Sequence, residues 1–440
     1  MPVGTTKASL PIFRQICELI PPRLVSALAR EHRIDHRGFS PWSHVVAMLY
    51  GHFTRAVGLN DICDGLRLRK SPLRSIRGAT PPKRNTLSNA NRTRDPGMAQ
   101  ALYWRMLALL QSADPGFARG KARSGYLRRF KATIHAVDST TIALVANCMD
   151  WAKHRRRKAA AKCHMALDLR SMLPRYAVVD TAAEHDSKRA WHVCAGLRAG
   201  EIAVFDRAYM DFAHLAAMDE RGVFWVTRAK EGLKYRKVRD AAGEKAPGIL
   251  RDEIIVLTGT KTAQSYGREL RRVVALVEVD GREVEMVFLT NNLEWSARSV
   301  AELYRARWEI EVFFKQIKQT IQLVDFVGHS KGAVLWQVWL GLLAHLLMRF
   351  LAHLSRWGHS FTRLFTLVRA ALWDAFPVRA FLERYGTAGG SYRMLARPDP
   401  LFFPGFGAPE EYTMGQPKRR RPPKRKAYEK VMQDKAAQPA

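Results

Sequence analysis

The chain has 440 residues, 47% hydrophobic and 25% charged, an ordinary globular balance that excludes a disordered protein and leaves room for roughly two or three domains. Lys plus Arg number 72 against 40 Asp plus Glu, a formal charge of +32, with a pI near 10.4. Such a surplus favours a polyanionic partner, because each cation that neutralises a phosphate releases condensed counterions, and nucleic acid is expected ahead of a ribosomal-type role or an anionic membrane.

The opening, MPVGTTKASLPIF, lacks a basic start followed by an apolar run, so no signal peptide is expected. Residues 1–128 read as a mostly helical, basic domain that binds DNA. In SALAREHRIDHRGFSPWSHVVAMLYGHFTRAV the apolar residues fall at helical spacing, broken at Gly38 and Pro41. The next stretch, LRLRKSPLRSIRGATPPKRNTLSNANRTRDP, is rich in Arg, Lys, Ser and Asn and poor in acids. It is either a solvated loop or a phosphate-contacting surface, and its excess of donors favours contact for the stretch as a whole. Five scattered cysteines (Cys17, Cys63, Cys148, Cys163, Cys194) form no C-x-x-C pair. They argue against a disulfide framework or zinc site and fit a reducing, cytoplasmic setting.

Near residue 131 the texture becomes β. KATIHAVDSTTIALV alternates as a strand does, and CHMALDLRSMLPRYAVVDTA gives two more strands, joined by a turn around Pro174. DSKRAWHVCAGLRAG reads as a helix. EIAVFDRAYMDFAHLAAMDERG reads as a buried strand ending in Asp206 and then a helix, with VFWVTRAK as a further strand. The order β-β-β-α-β-α-β implies a mixed α/β sheet covered by helices, in a domain spanning 129–400. At about 229–292 a β-rich insertion follows, carrying EIIVLTGTK, ELRRVVALVEV and VEMVFLTNNL, with Asp280-Gly281 as a hairpin signal.

ELYRARWEIEVFFKQIKQTI (302–321) reads as one amphipathic helix. At 100° per residue Tyr304, Arg307, Glu311 and Lys318 fall within an arc of about 60°, roughly 80° from the apolar stripe of Ile310, Phe314, Ile317 and Ile321. That puts the polar set at the edge of the core, where a cleft wall would be. AVLWQVWLGLLAHLLMRFLAHL (333–354) is nearly long enough to span a bilayer. Gln337, His345, Arg349 and His353 interrupt it, so a buried core helix is expected. Residues 401–440 lose the pattern, and PKRRRPPKRKAYEK reads as a disordered, basic tail.

Asp138 and Asp206 each close an apolar strand in this reading. Acids there pack poorly but are well placed to hold a divalent cation, and Glu311 would complete a three-carboxylate site. Oxygen ligands suit Mg²⁺ or Mn²⁺, and two such ions can stabilise both the attacking and the leaving oxygen of a phosphodiester displacement.

Tyr-x2-Arg-x3-Glu-x6-Lys, matched in full by Tyr304, Arg307, Glu311 and Lys318, resembles the signature of the insertion sequence 4 family of bacterial DDE transposases. DST after the first acid, DRAY after the second and the 311 − 206 = 105-residue gap with its β-rich insertion are similar to that family as well. The resemblance implies a ribonuclease-H-like core, Asp138, Asp206 and Glu311 as catalytic, metal-holding acids, and contacts from Tyr304, Arg307 and Lys318 to the transposon-end backbone near the cleaved phosphate. Arg228, in VTRAK, is a further DNA-contact candidate by its position. Family members flip a base onto an aromatic, for which Trp225 and Trp295 are candidates, though large aromatics there are more often core.

The expected activity is cut-and-paste DNA transposition: metal-dependent cleavage at terminal inverted repeats and strand transfer into target DNA, by a homodimer in the synaptic complex, within the bacterial nucleoid. An endonuclease that hydrolyses without joining, or a non-catalytic DNA-binding descendant, would carry much of the same sequence.

Overall fold

The computed structural model describes residues 10–34, 38–120, 125–144, 153–155, 158–181, 186–241, 246–279, 282–321 and 328–385. The basic tail and the Asp280-Gly281 turn lie outside them.

The N-terminal part is helical: α1 (Ile12–Glu18), α2 (Leu24–Glu31), α3 (Pro41–Thr54), α4 (Leu59–Leu68), α5 (Lys70–Arg74), α6 (Arg84–Thr93), α7 (Gly97–Ala113) and α8 (Pro115–Arg119). α3 starts where the sequence turns permissive: the Ser40 hydroxyl accepts from the Ser43 N–H, and Pro41 occupies the first turn, where its missing N–H costs nothing.

The strands are β1 (Ile134–Leu144), β2 (Lys153–Arg155), β3 (Lys158–Asp168), β4 (Leu173–Thr181), β5 (Ile202–Phe205), β6 (Phe224–Arg228), β7 (Tyr235–Asp240), β8 (Ile249–Leu257), β9 (Leu270–Val279) and β10 (Arg282–Thr290). Between and after them come α9 (Asp186–Val193), α10 (Phe212–Glu220), α11 (Thr260–Ser265), α12 (Ala297–Ala306), α13 (Trp308–Ile321), α14 (Lys331–Leu354), α15 (Phe361–Ala370) and α16 (Val378–Tyr385). All ten strands join one mixed sheet in the order β2-β3-β1-β5-β6-β10-β9-β8-β7, with β4 also on β3. β1, β5 and β6 run parallel. The strands of the β-rich segment continue this sheet through the antiparallel β6–β10 pair. All four residues of β5 are buried, the unbroken apolar run of a strand covered on both faces.

α14 is long and apolar enough to cross a membrane by length and composition, and 89% of its most apolar window is buried inside the protein, as the core-helix reading expects. α3, α6 and α7 of the N-terminal part and α13 and α15 of the C-terminal part pack on it in one hydrophobic core.

The structure departs from the sequence reading in four places. The turn between β3 and β4 is at 169–172, not at Pro174. Asp168 accepts from the Arg170 and Ser171 N–H groups, and Met172 takes a positive φ of 56°. β7 gave no sequence signal, because YRKVRD is a charged edge strand with almost no buried residue to set a period. Asp138 does not close its strand: β1 runs on to Leu144 against β3, as the alternation through KATIHAVDSTTIALV expects. The single helix read at 302–321 is two, α12 and α13, broken at Arg307, whose N–H bonds to Tyr304 O three residues back.

Candidate active site

Strand register builds the site. β1 pairs with β5 as far as Val137↔Phe205, and β5 with β6 as far as Phe205↔Thr227. Asp138, Asp206 and Arg228 are therefore each the next residue along three adjacent parallel strands, at the carboxyl edge where α/β sheets open their crevices. β1 continues past this point only on its β3 side. Asp138 marks the end of the parallel pairing rather than the end of its strand.

α12 and α13 bring the other groups over that edge. The Arg307 guanidinium forks between two acids, Nη1 at 2.7 Å from Asp138 Oδ2 and Nη2 at 2.6 Å from Glu311 Oε1. It also lies 5.7 Å from the centre of the Tyr304 ring, and the Tyr304 hydroxyl donates to Asp206 Oδ1 at 3.3 Å. Arg228 is near enough for its charge to act on Tyr304. Lys318, three turns along, donates to the Thr141 carbonyl at 2.9 Å. Asp138, Glu311, Lys315 and Lys318 line an open groove of about 430 Å³ between β1 and α13. All seven sequence-predicted residues thus come to one edge of the sheet, with Lys318 and Arg228 at its flanks. Ile310, Phe313, Phe314 and Ile317 face the core, and the polar set is half-buried beside it.

Burial pushes the Asp138 carboxyl up to about 6, and the charges of Glu311 and Asp206 push the same way. Arg307 and the Ser139 N–H, 2.7 Å from Oδ1, act against them. Among the described residues no three His, Cys, Asp or Glu side chains stand close enough to hold a metal as found. A guanidinium bridges two of the acids instead. Burial also lowers the Lys318 ammonium from its ordinary range.

Sequence reasoning passed over the support of Asp138. The Ser139 hydroxyl donates to Asp186 Oδ1 at 3.2 Å, Lys162 Nζ lies 2.6 Å from that oxygen, and His164 Nδ1 contacts the buried Tyr209 hydroxyl at 2.9 Å. The β1–β3 register, Ser139↔His164, brings these groups together. The DST and DRAY motifs already contained Ser139 and Tyr209; nothing local marked Asp186 or Lys162. Trp225 is fully buried core, and Trp295 packs edge-on against Phe130.

Comparison with known proteins places this arrangement in a class. Residues 129–347 match the family described as Transposase DDE domain, and residues 8–76 match a domain of unknown function. The putative transposase y4zB of Sinorhizobium fredii is 28% identical over 281 residues, 63% of this chain and 77% of that protein. The probable transposase for insertion sequence element IS5377 of Geobacillus stearothermophilus is 30% identical over 225 residues, 51% of this chain and 58% of that one. A piggyBac transposase synaptic complex with hairpin DNA shares 8% identity at a TM-score of 0.42, covering 84% of this chain and 79% of its own. The similarity to the transposase DDE domain family thus spans 129–347, the stretch that holds Asp138, Asp206 and Glu311. The chain is a DNA transposase, an enzyme that cleaves DNA.

Proposed function

We propose that the protein moves an insertion sequence of the insertion sequence 4 type by cut-and-paste transposition, from a ribonuclease-H-like catalytic core. Asp138, Asp206 and Glu311 are its catalytic acids. What carries this reading is the parallel register that sets Asp138 beside Asp206 while α13 brings Glu311 within reach of the same guanidinium.

The donor set fits a hard divalent cation: three carboxylates and no soft ligand, at an edge where burial first, and the charges of Glu311 and Asp206 after it, raise the Asp138 carboxyl to about 6. Two Mg²⁺ or Mn²⁺ ions held there would supply charge stabilisation to the attacking and leaving oxygens. Arg307 serves meanwhile as the internal counter-ion of Asp138 and Glu311. Its fork matches a phosphate as well as it matches these carboxylates, so it is the group to exchange an acid for DNA. Tyr304 orients Asp206 and flanks the phosphate, and Lys318 and Arg228 grip the backbone on either side. Water opens the phosphodiester bond at the element's end, and the freed 3′-OH attacks the second phosphodiester without a covalent enzyme intermediate.

The helical, basic segment 1–128 binds DNA, the 401–440 tail adds sequence-independent affinity, and two chains pair in the synaptic complex. The enzyme works on the nucleoid in the cytoplasm. The test uses the full chain with Mg²⁺ and duplexes ending in the inverted repeats that flank its coding region. Cleavage together with joining of a pre-cleaved end to target DNA is expected. Cleavage without any joined product would make the protein an endonuclease.

A further inference from the structure

We infer that α6 is a base-reading helix, whose outward side chains enter the major groove of the DNA the protein acts on. The inference rests on the reading of residues 1–128 as DNA-binding and names the element that supplies sequence preference.

Composition is the first sign. From Gly65 to Arg94 the chain has nine basic residues and no acid. Within α6, RNTLSNANRT, six of ten residues are Asn, Thr or Ser, all mediocre helix formers, and no side chain caps its start. A merely solvated face would be expected to use Glu, Lys, Gln and Ala. Intrinsic propensity does not explain these residues, so the helix is held by packing and its outward side chains are free to serve another purpose.

The packing is specific. Leu87, Ala90 and Asn91 are buried. His44 Nε2 donates to Asn91 Oδ1 at 2.7 Å inside the core, and the Trp336 indole N–H donates to the Arg94 carbonyl at 3.1 Å. A Cβ at Gly332 would come within 3.1 Å of Asn91 O and 3.3 Å of Arg92 O, so only a glycine lets α14 begin directly against the α6 backbone. Three anchors from two other helices thus fix the helix in rotation and depth.

What points outward is Asn85, Asn89 and Arg92, all exposed, with Ser88 between them half-buried. Their spacing of i, i+4 and i+7 keeps them on one face. Asn is bidentate to adenine and Arg to guanine in the major groove, which is wide enough for one α-helix. Arg92 Nη2 already donates to Asn89 Oδ1 at 2.9 Å, a pre-ordered pair of readers. The open groove of about 950 Å³ beside α6 has Arg33 on its far wall, which supplies a phosphate-contacting cation. Asp95, the acid lining it, is engaged by His32 Nδ1 at 2.6 Å.

The experiment selects duplexes with a randomised core from a library, using the full chain in a chelating buffer so that nothing is cut. Wild type, Asn85→Ala/Asn89→Ala and Arg92→Ala are compared by enriched motif and by anisotropy on enriched and scrambled duplexes. Wild type should enrich a motif. The double variant should lose preference at adjacent motif positions, with discrimination over scrambled DNA falling roughly 10- to 100-fold while scrambled-duplex affinity changes little. Arg92→Ala should relax neighbouring positions. Circular dichroism confirms folding, and Asn89→Ser replaces the double variant if that misfolds. An unchanged motif with unchanged discrimination would overturn the inference alone. So would a uniform loss across all sequences with a shallower salt slope, which would make α6 a phosphate contact. A wild type that binds no duplex would overturn the DNA-binding reading of residues 1–128 and this inference with it.

Discussion

The helical part and the sheet part of this transposase build their polar surfaces in opposite ways. Around Asp138 the important groups come from distant segments, and an inter-strand register and a helix break bring them together. They interact strongly, so the site is partly buried and self-neutralised by Arg307. On α6 the outward groups come from one short segment, and distant residues serve only to fix the helix in place. The proposed chemical site gathers opposing charges where water is scarce, whereas the proposed reading helix keeps its donors and acceptors exposed on a rigid support.

The sharpest way to break this contrast is Glu311→Gln. It preserves size and hydrogen-bonding reach but removes a charge, so cleavage in Mg²⁺ or Mn²⁺ should fall by several orders of magnitude, since metal stabilisation contributes several kcal/mol to the transition state. Gel shifts should show binding to the element's end intact or tighter, because one anion facing phosphates is gone. Normal cleavage, or loss of binding, would remove Glu311 from the catalytic set.

A smaller effect is expected from Lys318→Ala and Arg307→Ala. Lys318→Ala should weaken end binding about 10-fold, a single phosphate contact, with cleavage recovered at high protein concentration. Arg307→Ala should weaken binding too and also leave Asp138 without its counter-ion, so its cleavage should not recover fully. If both variants recovered equally in titrations of cleavage against protein, Arg307 would be a DNA contact only.

The smallest effect is one of pH, and its sign should differ between the two regions. His44 is buried and its imidazole is held down at about 3, below the ordinary 6.5, chiefly by burial. Its folded pKa is depressed, so its contribution to stability is complete above about 6.5 and is lost as pH falls towards 3. Asp138 is raised from 3.8 to about 6, so its contribution is complete below 3.8 and is lost as pH rises through 6. Hydrogen exchange corrected for intrinsic rates, without divalent ions, should show α3 and α6 losing protection between pH 7 and 4 while the β1–β5 ladder does not. Parallel behaviour of the two regions would dissolve the distinction.

Much of the candidate site was legible in the sequence because its signals are local. Tyr304, Arg307, Glu311 and Lys318 are close in sequence and helical spacing aligns them, while apolar runs before Asp138 and Asp206 mark the strands. The break at Arg307 was not legible, since WEIEVFF continues a good helical pattern without Gly or Pro, and the charged edge strand β7 offered no apolar period. Asp186 and Lys162 were invisible for a different reason: their importance lies in a register between β1 and β3 that neither segment announces.

Sequence alone determined the charge that favours a polyanion, most of the order of helices and strands, the burial of α14 and the acids proposed for catalysis. Each of these depends on composition or on a period of two or 3.6 residues, which a chain carries whatever its neighbours do. Only the tertiary structure decided that β1 loses its β5 partner at Asp138, that one arginine bridges two of the acids, and that α6 is seated by His44, Trp336 and Gly332 with Asn91 inward and Asn85 and Asn89 outward. Those depend on which strand lies beside which and how closely two helices approach. Side-chain pairing across such gaps is set by packing in three dimensions, and no period along the chain encodes it.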